Sequence, residues 1–101
     1  METIAQRKYK ENPDRVFAVL LEVLAKKDFE IKRSEPSIRL VEISTSMSLL
    51  SFGESFEIIV GGTENDSVVR VKSKSRIRWN ITSQTEEKTK EILNLIENRL
   101  N

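Results

Sequence analysis

The spacing of apolar and polar positions changes several times along the chain, and each change marks an element. Residues 2–10 read as a strand, with Ile4 and Tyr9 on opposite faces, so alternation leaves its inward face open. Asn12-Pro13-Asp14 reads as a helix start: a capping Asn, a Pro in the first turn and an acid near the positive end. Val16, Phe17, Leu20, Val23 and Leu24 then recur at helical spacing and give that helix a broad apolar face. Lys26 and Lys27 suit its negative end.

The period then drops to two. Phe29 and Ile31 alternate with Glu30 and Lys32, and Ser34-Glu35-Pro36-Ser37 reads as a turn. Residues 38–45 form a strand of mixed character on both faces. Residues 46–51 are unassigned, with Met47, Leu49 and Leu50 expected to pack down. Phe56, Ile58 and Val60 share one face of the next strand, and residues 61–66 read as a loop. A long last strand is expected over residues 68–79. Ser83-Gln84-Thr85-Glu86 has the form of a capping box and opens a helix that runs to Leu100, with Ile92, Leu93, Ile96 and Leu100 on its core face. The polar half of this helix, residues 85–91, is expected to project beyond the sheet edge, with Glu86 placed to pair with Lys90. The order is β-α-β-β-β-β-α. Strands that follow one another without intervening helices imply a mainly antiparallel five-stranded sheet with both helices on one face, an α+β fold.

The last strand has the sharpest pattern. Arg70, Lys72, Lys74, Arg76 and Arg78 occupy every second position, so they share a face and form a basic stripe roughly 27 Å long. Val69, Val71, Ser73, Ser75, Ile77 and Trp79 occupy the other face. Phe56, Ile58 and Val60 must share the core with Val69 and Val71, which limits the hairpin register: Glu57 lies opposite Arg70 or Lys72. The stripe is either a solvated outer face, a surface covered by a partner subunit, or an anion-binding surface for nucleic acid, an acidic lipid headgroup or an acidic protein. The absence of aromatics among its five positions weakens the nucleic-acid version. Ser73 and Ser75 interrupt the apolar face and either bond to backbone or, with Trp79 and Asn80, line a small pocket between sheet and helix.

Composition narrows the chemistry. The 101-residue chain is the size of one domain, and 17 Lys and Arg against 16 Asp and Glu leave a net charge of +1, so any electrostatic role is local. It contains no Cys and no His, which removes disulfides, thiolates, the commonest general base and the commonest metal ligand from within this chain. No metal or cofactor is expected, and the acidic residues form no catalytic pairing. The N-terminal stretch lacks the apolar core of a signal peptide, and no apolar run approaches the ~20 residues of a membrane span. A soluble, cytoplasmic protein is the expectation.

Val71-Lys72-Ser73-Lys74-Ser75-Arg76-Ile77 resembles the hallmark R-S-x-S-R strand of a bacterial family of small domains of unknown function. Thr45-Ser46-Met47-Ser48-Leu49-Leu50-Ser51-Phe52 is similar to that family's T-S-R-L-L-G-F segment, and residues 13–21 are similar to its first helix. Glu54 and Ser55 stand where the family has two Asp, and Arg78-Trp79-Asn80-Ile81-Thr82 replaces its G-x-x-D-x-G segment, with Asn80 at the Asp position if one residue is deleted. The family has no established activity, so the resemblance implies a fold rather than a role. The element order is also similar to a reduced helix-grip domain, the START-like architecture, which implies an apolar ligand held between sheet and C-terminal helix. The resulting expectation is a non-enzymatic binding module acting through the basic face, with a small apolar-ligand carrier as the alternative and a homo-oligomer as a possible assembly.

Overall fold

The computed structural model describes residues 2–26, 29–45, 55–73 and 83–101, with side chains described at 5–26, 29–44, 55–72 and 89–101. The strands are β1 (Glu2–Tyr9), β2 (Phe29–Glu35), β3 (Leu40–Thr45), β4 (Ser55–Thr63) and β5 (Asp66–Ser73), and the helices are α1 (Pro13–Ala25) and α2 (Ser83–Leu100). The five strands form one antiparallel sheet in the order β1-β5-β4-β3-β2. The expected α+β order β-α-β-β-β-β-α is the observed one.

Register decides what lies inside. Phe56 pairs with Ser73, Ile58 with Val71 and Val60 with Val69, which places Glu57 opposite Lys72, one of the two expected positions. Phe56, Ile58, Val60, Val69 and Val71 are at most 1% exposed. They share a single apolar cluster with Val16, Leu20 and Leu24 of α1 and Ile92, Leu93 and Ile96 of α2. Both helices therefore cover the same face of the sheet.

α1 begins as its sequence implies. The Asn12 carboxamide accepts a hydrogen bond from the Asp14 backbone N–H at 2.8 Å, Pro13 takes the first helical position, and Val16 N–H donates to the Asn12 carbonyl. Such a cap contributes about 1 kcal/mol. Arg99 of α2 donates two hydrogen bonds to the Glu22 carboxylate of α1, at 3.0 and 3.2 Å, and these pull the carboxyl below its ordinary range.

Several sequence expectations shift. The strand expected from residue 38 starts at Leu40, because Pro36–Ile38 form a single 3-10 turn that ends at Arg39 in the left-handed region, φ 51°. A non-glycine residue there carries a steric cost. Arg39 is held in place by its Nε donating to Asp14 Oδ1 at 2.7 Å and by its carbonyl accepting from Val60 N–H. This turn leaves Ile38 54% exposed. The mixed strand is also resolved: Val41 and Ile43 face the core, while Leu40 pairs with Ile59 on the outer face and is buried there. Thr89 is buried at 1%, so α2 packs against the molecule from that position on rather than projecting over the whole of residues 85–91.

The expected loop at residues 61–66 is shorter than expected. Thr63 pairs with Asp66, so Gly61 and Gly62 belong to β4 and only Glu64 and Asn65 make the turn. Gly62 has φ 130°, and a Cβ there would lie 2.1 Å from the Asp66 carbonyl oxygen. Glycine is needed at that position, whereas a Cβ on Gly61 would meet nothing within 4 Å. Gly62→Ala is therefore expected to destabilise the fold by about 1–3 kcal/mol in urea denaturation, and Gly61→Ala to change it by no more than about 0.5 to 1 kcal/mol. Equal effects from the two would contradict this hairpin geometry.

Candidate functional site

The inward face of β1, open from the sequence, is settled by a shift in register. Thr3 pairs with Lys72 and Ala5 with Val71, so Ile4 is an extra residue and the phase of the strand changes there. Beyond the bulge, Ala5, Arg7 and Tyr9 take the helix side. Tyr9 O–H donates to the Leu93 carbonyl of α2 at 2.9 Å, and Arg7 donates to Asn94 Oδ1 at 2.8 Å and lies 3.5 Å from the Glu97 carboxylate. These contacts tie β1 to α2 and leave Gln6 and Lys8 on the outer face.

The outer face can be followed in rows across the strands. One row runs Arg33, Glu42, Glu57, Lys72 and Thr3; the next runs Glu35, Leu40, Ile59, Arg70 and Gln6; a third runs Gly61, Val68 and Lys8. In the first row two adjacent acids are flanked by a cation at each end, with Arg33 3.5 Å from Glu42. Arg33 also donates to Glu35 at 2.9 Å, which holds its guanidinium above its already high range. Lys72 therefore offsets the charge of Glu57, as Arg33 does that of Glu42. Arg70 is placed differently. It is exposed, its row neighbours Ile59 and Gln6 are uncharged, and its Nε donates to the Gln6 carboxamide at 3.1 Å. Lys8 lies on the diagonal from Arg70, a separation of about 7–8 Å. Glu57 is the diagonal neighbour on the other side, directly opposite Lys72. Glu42 and Glu57 thus lie on the outer face of β3 and β4, Arg33 and Glu35 mix on β2, and Lys8, Arg70 and Lys72 lie on β1 and β5 with Asp66 at the start of β5.

Of the residues singled out by sequence, Arg70 and Lys72 lie on the outer face of β5. Ser73 ends that strand, opposite Phe56 and Glu2. Lys74, Ser75, Arg76, Arg78, Trp79 and Asn80, with the upper part of the stripe and the pocket assigned to Ser75, Trp79 and Asn80, lie outside the described residues. Lys8 and Gln6 were not singled out, because their side of β1 depended on the bulge at Ile4; the alternation of Gln6, Lys8 and Lys10 was their only signal.

A second feature lies at the end of the same two strands. An open cleft of about 550 Å³ is lined by Lys8, Tyr9, Lys10, Gly62, Asp66 and Ser67, among others. Ser67 is 1% exposed, and its hydroxyl has no hydrogen-bond partner. It sits in register between Tyr9 and Gly62. Among the described residues, no group of three or more acidic side chains is placed to hold a metal ion, and no helix is long and apolar enough to cross a membrane. No protein-family model matches the chain, and no curated protein matches its sequence.

Burial pushes the Tyr9 phenol up to about 12, against the opposing pull of Arg7. Between pH 10 and 12 the unfolded chain releases this proton and the folded chain keeps it, so the contribution is complete below pH 10 and is lost as pH rises toward 12. It is on the order of 2 kcal/mol. Tyr9→Phe is expected to be less stable than the wild type at pH 8 and to show a shallower loss between pH 10 and 12; parallel alkaline profiles would show that Tyr9 does not carry this linkage.

Proposed function

We propose that this chain is a non-enzymatic binding module that engages an anionic partner across the β1–β5 sector of its outer sheet face. The observation that carries the reading is the placement of Arg70: exposed, flanked by uncharged row neighbours, and diagonal to Lys8. In the described row from Arg33 to Lys72 the two acids are matched by two cations. A net charge of +1 gives little long-range attraction, so the contact depends on this local grouping. The described outer face of β1 and β5 presents Gln6, Lys8, Asp66, Val68, Arg70 and Lys72, three cations against one acid and no aromatic ring for base stacking, which favours recognition of carboxylate or phosphate charge over base readout.

The same proposal extends the contact along the stripe to Lys74, Arg76 and Arg78. Acidic proteins, anionic lipid surfaces and nucleic acid are the partner classes, and a second copy of the chain is a further one. Kinship with the R-S-x-S-R family, a soluble cytoplasmic setting and the absence of enzymatic activity belong to this reading too. The apolar-carrier alternative has less support: Ile92, Leu93 and Ile96 fill the interface between α2 and the sheet and are at most 2% exposed.

Binding to heparin, polyglutamate and vesicles rich in anionic lipid is expected at low ionic strength and should fall steeply with salt. Arg70→Gln and Lys8→Gln should each weaken it about two- to fivefold, as exposed charge contacts do, while Arg15→Gln on α1 should not. Absence of binding to all three polyanions, or equal losses from Arg15→Gln, would overturn the reading.

A further inference from the structure

Among the described residues β2 is an edge strand with no strand beyond it, and its charge order is self-complementary; from this we infer that two copies of the chain associate by antiparallel β2–β2 pairing centred on Ile31. An edge strand offers a row of unpaired backbone N–H and C=O groups. The two edges of this sheet differ. β1 is docked beneath α2 through Tyr9 and Arg7, whereas β2 is exposed at every position from Glu30 to Ser34. Ile31 lies opposite fully buried Ile43 yet is 39% exposed, and among the described residues no strand pairs with β2 on its other side.

Glu30 and Lys32 flank Ile31, lie 3.4 Å apart, and have side chains 69% and 53% exposed. A two-fold axis through Ile31, perpendicular to the sheet, sets Ile31 against the partner's Ile31 on the helix side. On the outer side it sets Glu30 against the partner's Lys32 and Lys32 against the partner's Glu30. The two intrachain ion pairs then merge into an alternating cluster of four charges. Two neighbouring registers are poorer. An axis through Lys32 sets lysine against lysine and Ile31 against the partner's Arg33; an axis between Lys32 and Arg33 sets cation against cation and Glu30 against the partner's Glu35. The register with β3 shifts between Ile31 and Arg33. Such a bulge normally protects an edge, and here it limits the ladder to about three residues per chain. The dimer is therefore weak and concentration-dependent. It joins two sheets into one of ten strands, with both basic sectors on the same side and at opposite ends, β5 from β5 about 34 Å at ~4.8 Å per strand.

The chain contains no cysteine, so Ile31→Cys supplies a single thiol on the proposed axis. Directly opposed Cβ atoms about 4.5–5.5 Å apart reach disulfide geometry with small adjustment. Mild oxidation of concentrated, folded protein is expected to trap Ile31→Cys as a covalent dimer, and Ile38→Cys, also exposed but outside the ladder, much more slowly. Adding Lys32→Glu should slow trapping about five- to tenfold by making two cross-strand charge pairs repulsive, and adding Glu30→Lys as well should restore it. Equal trapping of the two cysteine variants, or failure of the charge swap to restore the rate, overturns the proposal. Neither result bears on polyanion binding by Arg70 and Lys8, which lie at the other end of the sheet.

Discussion

The register between β4 and β5 is the constraint on which the rest of the molecule depends. Pairing Val60 with Val69 and Ile58 with Val71 puts one side of both strands into the core and the other into solvent. Side chains alternate with period two, so a slip of one residue would drive Arg70 and Lys72 under the helices and expose Val69 and Val71. Burying either cation without a partner would cost far more than any single contact in this protein supplies. The basic face and the apolar core are therefore two consequences of one choice. Gly62 lets the hairpin close in that register, because its backbone lies against Asp66 where a side chain would not fit.

The helices then make the two edges of the sheet unequal. α2 lies by β1, where the Tyr9 hydroxyl and the Arg7 guanidinium reach its carbonyl and polar side chains. That docking turns Gln6 and Lys8 to the outer face beside Arg70. α1 is linked to α2 through Glu22 and Arg99 and to the β2–β3 turn through Asp14 and Arg39. It leaves β2 exposed at its central residues. The side chains of one edge strand are thus tied to a helix, while those at the centre of the other, Glu30 to Ser34, are exposed.

The elements that strong local chemistry dictates were legible in the sequence. Asn12-Pro13-Asp14 marks the start of α1 because a cap, a fixed φ and a favourable charge coincide. The hairpin register followed from requiring Phe56, Ile58 and Val60 to share a face with Val69 and Val71. Features set by tertiary context were not legible. The bulge at Ile4 reverses the phase of β1, so its pattern alone could not show that Lys8 would join Arg70. Gly61 and Gly62 have the composition of a loop, yet they lie within β4 because the turn needs only two residues. Arg39 adopts a left-handed conformation that its residue type disfavours, held there by Asp14, 25 residues earlier. Half of the candidate site was visible as alternation along β5; the other half came from the strand that β5 pairs with.

In the proposed mode of action, one face of β1 and β5 receives an acidic partner. Titrating polyglutamate into isotopically labelled protein at low salt, and following backbone and side-chain resonances, tests it directly. Shifts are expected to concentrate at Gln6, Lys8, Arg70 and Lys72 and to be reversed by added salt, with Leu20, Ile92 and Ile96 unmoved. Shifts centred on the helices, or spread without preference over every exposed lysine and arginine, would contradict it.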